Sequence, residues 1–295
     1  KKQRLESPWC QLLNGQWKFH WVDHPGKRPL DFFESNFDDS GWKTIPVPSN
    51  VELQGYGTPI YCNHPYPFKK DPPRVMGEPE SHFTTYKERN PVSSYRKTFS
   101  VPKNWRDRQT TITFNGVSSA FYLWCNGKKV GYSQDSRTPA EFDLTTFLKE
   151  GENTIAVEVY RYSDGSYLEC QDFWRLSGIF RDVYLTSLAQ NDLADFTLRA
   201  TIQENGKGRL QFFSDLTNRS KNVGLTLDLL DATGKVIFSP KHKPNAGAKT
   251  TLDTFGQIIS GELDVTPWSA ENPYLYTLRI GVGEMHKEPT PDYVQ

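Results

Sequence analysis

The sequence predicts an all-β protein built as two successive sandwiches, and three observations carry that expectation. Aromatic residues make up 14% of the chain, with 8 Trp, and aromatic and β-branched side chains fit pleated sheets. Short runs of period two recur along the chain, separated by Gly, Asn, Asp and Pro turns. No long run of 3.6-residue period and no strand–helix alternation occurs, which argues against a doubly wound sheet or a (β/α)8 barrel. The length of 295 residues exceeds one ordinary sandwich and suits two domains.

Taken in order, residues 1–43 read as irregular, dense in Trp, Pro and Asp. Alternation begins at 110–114. Residues 120–125 form an aromatic-rich strand that meets Asn126-Gly127 and then 128–132. Asn-Gly between two strand-like runs predicts a hairpin, because both residues tolerate positive φ. Residues 143–148 read as one helical turn, capped by Asp143 and ended by Gly151. Ile155, Val157 and Val159 point one way and Glu158 and Tyr160 the other, the mark of a half-buried strand. Residues 180–185 close the first domain, set at 1–187, and the small polar run 188–192 reads as a linker. In the second domain, 193–295, Phe196, Leu198, Ala200 and Ile202 alternate, as do Val223, Leu225, Leu227 and Leu229. Thr233-Gly234 turns the chain into 235–238, and Leu278 and Ile280 mark a last strand. About a hundred residues of short strands with polar turns predict an immunoglobulin-like sandwich.

Lys and Arg total 35, as do Asp and Glu. That balance gives no basic excess with which to neutralise nucleic acid or an anionic membrane. No segment approaches the roughly 20 apolar residues that span a bilayer. The start has no apolar run, so no signal peptide is expected, and the compartment stays open between cytoplasm and, after removal of a leader, periplasm. Cys10, Cys62, Cys125 and Cys170 form no CxxC pair and are expected as free thiols.

Several stretches are too specific for composition to explain. They include Leu13-Asn14-Gly15-Gln16-Trp17-Lys18-Phe19, Ile45-Pro46-Val47-Pro48-Ser49-Asn50 and Tyr61-Cys62-Asn63 ahead of Tyr66-Pro67-Phe68. Gly131-Tyr132-Ser133-Gln134-Asp135-Ser136-Arg137 follows, and the longest runs from Ser163 through Gln171-Asp172-Phe173-Trp174-Arg175 to Val183. In order and spacing across 12–185 these resemble the front part of LacZ-type β-galactosidases of glycoside hydrolase family 2. That part is a galactose-binding, jelly-roll-like β-sandwich followed by an immunoglobulin-like one. Trp268, Pro273, Leu275 and Tyr276 resemble the close of that second domain. Residues 77–91 and 284–295 depart from the family pattern.

The resemblance implies that Asp172 contacts the galactosyl primary hydroxyl and a sodium ion, that Asn63 lies in the galactose subsite, and that His64 lines it. An ionised Asp makes stronger hydrogen bonds than a neutral acceptor, and an Asn amide offers donor and acceptor to adjacent hydroxyls. The competing structural readings are a salt bridge from Asp172 to Arg175 or Arg181 and an Asx-turn at Asn63. Trp174 reads as a core or interface aromatic, and Arg175, Arg181 and Asp182 as an ion-pair lattice. Gln134 and Asp164 offer oxygen ligands for a structural cation, and magnesium is implied for the intact enzyme.

Retaining hydrolysis needs two carboxylates flanking the scissile bond. In this family both are barrel glutamates, the acid/base following an Asn, and this chain has no Asn-Glu dipeptide. No catalytic residue is therefore expected here. The expected partners are a galactoside, the absent barrel and C-terminal domains, and further copies in a homo-oligomer. A stand-alone lectin-like module and a purely structural assembly domain are the rival readings.

Overall fold

A computed structural model describes residues 6–63, 65–79, 88–170, 172–189, 192–216, 223–242 and 257–284. His64, and most of the departing runs at 77–91 and 284–295, lie outside the described residues. The chain divides into two compact units, Lys1–Ser187 and Leu188–Gln295.

The strands of unit 1 are β1 (Cys10–Leu12), β2 (Gly15–Val22), β3 (Lys43–Val47), β4 (Ile60–Cys62), β5 (Val92–Ser100), β6 (Gln109–Phe114) and β7 (Val117–Ser118). Then come β8 (Ala120–Cys125), β9 (Lys128–Gln134), β10 (Ala140–Asp143), β11 (Glu152–Tyr160), a one-turn helix α1 (Ser166–Glu169), β12 (Phe173–Arg175), β13 (Gly178–Ile179) and β14 (Val183–Leu188). A four-stranded sheet, β1-β14-β6-β10, and a six-stranded sheet, β3-β2-β5-β11-β8-β9, form the sandwich. Between them lies one core that includes Trp17, Phe19, Ile45, Tyr95, Phe114, Leu123, Ile155 and Val157.

The hairpin forms where expected. Asn126 and Gly127 take φ of 51° and 81° between β8 and β9. Asn126 also serves as a clamp: its amide donates to the Phe147 carbonyl (2.9 Å) and accepts from the Thr154 amide (3.0 Å). At 143–148 the chain makes a single turn, with Asp143 Oδ1 accepting from the Thr145 amide at 2.8 Å.

Two expectations about unit 1 need correction. Residues 1–43 are not irregular throughout, since they hold β1 and β2. The alternation of buried Trp17 and Phe19 with Lys18 and His20 spans only eight residues, and the Trp, Pro and Asp around it obscure the period. Nor is β11 half-buried, because its outward Glu158 is buried too. Segment 25–42 covers that face of the six-stranded sheet. Arg28 pairs with Glu158 at 3.3 Å, Phe33 stacks on Trp124 at 5.0 Å, and Arg96 reaches Asp39 at 2.7 Å.

Unit 2 holds β15 (Leu193–Ile202), β16 (Gly208–Leu216), β17 (Val223–Leu230), β18 (Val236–Phe238), β19 (Lys241–His242), β20 (Gln257–Ile259) and β21 (Thr277–Glu284). One sheet runs β15-β16-β20, and in the other β17 pairs with β18, β19 and β21. Leu210, Phe212, Leu225, Leu227 and Ile280 fill the space between, an immunoglobulin-like sandwich. Gly234 makes the expected turn with φ of 85°. No disulfide joins any of the four cysteines, and among the described residues no helix is long and apolar enough to cross a membrane.

Candidate functional site

At one end of unit 1, two short strands from distant parts of the sequence form a separate ribbon. β4 pairs antiparallel with β12, with Cys62 opposite Phe173, Tyr61 opposite Trp174 and Ile60 opposite Arg175. One step beyond that register, Asn63 comes opposite Asp172. Side chains alternate across a strand, so Ile60, Cys62 and Arg175 point inward and are buried, while Tyr61, Asn63, Asp172 and Trp174 share the exposed face. The Tyr61 hydroxyl donates to Asp172 Oδ1 at 2.5 Å, which raises the phenol's pKa above its ordinary value. The Tyr61 and Trp174 rings lie 5.9 Å apart, tilted by 58°.

This face combines an acidic acceptor, an amide and two exposed aromatic rings, which suits a polyhydroxylated ring with apolar C–H faces. No ion pair joins Asp172 to Arg175 or Arg181 among the described residues. Trp174 is 54% exposed within this chain rather than part of its core. Sequence reasoning singled out neither Tyr61 nor the pairing of the two loops. The signal for Tyr61 is its place in the run Ile60-Tyr61-Cys62-Asn63, where period two puts it on Asn63's face.

A buried polar network holds the ribbon. Glu52 accepts from the Ser177 amide (2.8 Å) and hydroxyl (2.6 Å), and the Arg161 guanidinium lies 3.3 Å from it. Arg161 also meets Glu88 at 3.3 Å and donates to the carbonyls of Thr58 (2.7 Å) and Arg175 (2.9 Å). One side chain thus ties the segment before β4, the end of β12 and the strand end at β11 together. Burial pushes the Glu88 carboxyl above its ordinary value even beside Arg161. The proline-rich loop after β4 is latched to α1. Tyr66 Oη donates to the Tyr167 carbonyl at 2.9 Å, and Tyr167 Oη bridges the Asp71 amide and the Arg74 carbonyl.

The expected lattice of Arg175, Arg181 and Asp182 does not form. Arg175 donates to the Cys62 carbonyl at 2.9 Å, Arg181 to the Asn115 and Arg137 carbonyls, and Asp182 accepts from Asn14 at 2.9 Å. Backbone carbonyls reach these arginines before any carboxylate does. Glu169 binds Ser136 through both oxygens and so makes no acid/base pair with Asp172.

Gln134 and Asp164 come near one another, since a Cβ built on Gly165 would lie 3.9 Å from the Gln134 amide. Gln134 Oε1 accepts from Tyr132 at 2.6 Å and Asp164 Oδ1 from the Gly165 amide at 2.9 Å. Two already engaged oxygens fall short of an octahedral magnesium shell. Among the described residues no group of three or more His, Cys, Asp and Glu is placed to hold a metal. The Asp172 face fits a monovalent cation better, because Asp172 keeps one carboxylate oxygen beyond the Tyr61 bond and Asn63 adds a carbonyl oxygen in adjacent register.

Comparison with known proteins agrees with this architecture. A curated β-galactosidase of Priestia megaterium is 43% identical over 289 residues, covering 96% of this chain and 27% of that protein. One of Halalkalibacterium halodurans is 44% identical over 269 residues, covering 90% and 25%. The chain therefore spans about a quarter of the length of these relatives. Among solved structures, a β-glucuronidase of an uncultured Clostridium sp. superposes with a TM-score of 0.63 at 20% identity, over 96% of this chain and 44% of that one. The β-glucuronidase of Ruminococcus gnavus gives 0.65 at 16%, over 95% and 42%. At such identities the likeness shows the fold alone. A model of the glycosyl hydrolases family 2 sugar binding domain matches residues 10–189, and a second glycosyl hydrolases family 2 model matches residues 179–292. Since the first of these alone covers more than half of the sequence, the chain belongs to glycosyl hydrolases family 2.

Proposed function

We propose that the chain is the front, non-catalytic part of a retaining β-galactosidase and that its ribbon face completes the galactose subsite of a barrel supplied by the rest of that protein. The observation that carries this reading is the register that sets Asn63 beside Asp172 on one exposed face. In the assembled site Asp172 accepts a hydrogen bond from the galactosyl primary hydroxyl, with Tyr61 holding the carboxylate in orientation. Asn63 donates to one hydroxyl and accepts from its neighbour. Asp172 and Asn63 would hold the sodium ion, which when bound supplies a positive charge for sugar oxygens. His64 lines the same loop. No step is assigned to magnesium through Gln134 and Asp164.

The two carboxylates of the hydrolysis belong to the barrel. The isolated chain is therefore expected to show no turnover of a chromogenic β-galactoside, while the full-length polypeptide turns it over. Activity that stays with the purified chain would overturn this assignment. The exposed Tyr61 and Trp174 rings favour a second reading, a lectin-like module that holds galactose unaided. Calorimetric titration of the isolated chain with galactose separates the two. The first reading expects no affinity tighter than about 10 mM, because a face lacking its opposite wall buries too little of the sugar to offset the cost of association. Submillimolar binding would establish the second.

A further inference from the structure

Beneath the ribbon, Phe173 and Trp174 wall a cavity of about 280 Å³ that also meets Arg137, Arg175, Tyr162 and Glu169. Arg175 is 6% exposed. Its Nη2 donates to the Cys62 carbonyl, but its Nε and Nη1 have no hydrogen-bond partner, and neither has the buried Tyr162 hydroxyl. No carboxylate among the described residues lies within ion-pair distance of Arg175 or Arg137. The guanidinium carbons of both sit against the Phe173 ring, at 4.8 and 5.1 Å from its centroid.

The nearby acidic groups do not balance this charge. Glu169 has both oxygens on Ser136. Cys170 is a neutral thiol near pH 7, since burial pushes it up to about 11. Glu52 and Glu88 are engaged with the third arginine, Arg161. A buried cation without a counter-ion is strongly destabilising, and unpaired buried donors in a cavity large enough for a small molecule point to a missing acceptor.

We infer that this cavity is a carboxylate site, in which Arg175 and Arg137 bind the oxygens and the Tyr162 hydroxyl donates a further hydrogen bond. Arginine suits planar carboxylates. The exposed Leu168 and Trp174 at the rim suit a carboxylate carried on a short apolar stem rather than a fully hydrated tetrahedral anion. Such a group has two possible sources with the same chemistry: a free short-chain carboxylic acid, or an Asp or Glu side chain of the longer polypeptide.

The test is thermal unfolding of this chain in sodium propionate against sodium chloride at equal ionic strength, which keeps sodium constant, with the affinity measured by calorimetric titration. At ten times Kd, propionate should lower the unfolding constant of unit 1 about 11-fold, a rise of about 3–6 °C in melting temperature for a unit of this size. Arg175→Met should abolish the response. Arg137→Met, at the more open end, should fold normally and weaken binding about tenfold, so the inference stands or falls on it if Arg175→Met does not fold. Equal melting temperatures in the two salts overturn the inference, as does a propionate response unchanged by Arg137→Met. Running the full-length polypeptide separates the sources. A response seen in the chain but lost at full length assigns the site to an internal acidic side chain, and a response in both assigns it to a free acid.

Discussion

Replacing Arg161 by methionine is expected to lower the stability of unit 1 by about 3–5 kcal/mol, because removing one partner of a buried ion pair leaves the other charge uncompensated. The Arg161 and Glu52 side chains are 3% and 1% exposed. Ser177 would still donate twice to Glu52, but the acceptors Thr58 O and Arg175 O would lose their donor. For a unit of this size the loss corresponds to about 6–20 °C in melting temperature. The double variant Arg161→Met with Glu52→Gln removes both charges and should recover part of the stability. A single variant that loses less than about 1 kcal/mol in urea denaturation would show that the network does not hold the ribbon.

The second large effect concerns Gly178, which opens β13 with φ of 104°. A Cβ there would lie 2.6 Å from Val51 Cγ2, 3.0 Å from the Tyr95 hydroxyl and 3.2 Å from the Ser49 carbonyl. Val51 and Tyr95 are fully buried and cannot swing aside. Gly178→Ala therefore combines a left-handed backbone penalty of about 1–2 kcal/mol with overpacking of about 1–3 kcal/mol. The expected loss is about 2–5 kcal/mol, read as a lower urea midpoint. Gly151→Ala is the control: its φ is 85° and a Cβ there meets nothing within 4 Å, so only the backbone penalty applies. Equal losses for the two variants would remove the packing argument.

Local chemistry accounts for what the sequence makes legible. Asn126-Gly127 announces its hairpin because positive φ is a property of those two residues alone. Leu225, Leu227 and Leu229 announce a core strand because period two survives in any context. The site is legible only in parts. Asn63 and Asp172 stand in motifs that resemble a family, yet nothing local says that loops so far apart pair as β4 and β12. Tyr61 and Trp174 read as core residues because aromatic content is high everywhere, and only the pairing turns them outward. Glu52 and Arg161 leave no periodic trace, since a buried ion pair between loops is a tertiary event. Glu158 misleads for the same reason: its alternation marks a solvent face that segment 25–42 then covers.

The most direct measurement is Asp172→Asn in the full-length polypeptide, with kcat/KM, sodium dependence and melting temperature taken on the same preparation. The variant keeps shape and one acceptor oxygen, and Asp172 is exposed with Tyr61 as its bonded neighbour, so the fold should survive. A hydrogen bond to a charged group contributes about 1.5–3 kcal/mol, which translates to a loss of roughly 10- to 100-fold in kcat/KM. Sodium dependence should weaken together with it, while the melting temperature stays within about 2 °C of the parent, as for a surface substitution. Unchanged kcat/KM with an unchanged sodium response would contradict the account and leave the ribbon face a structural feature.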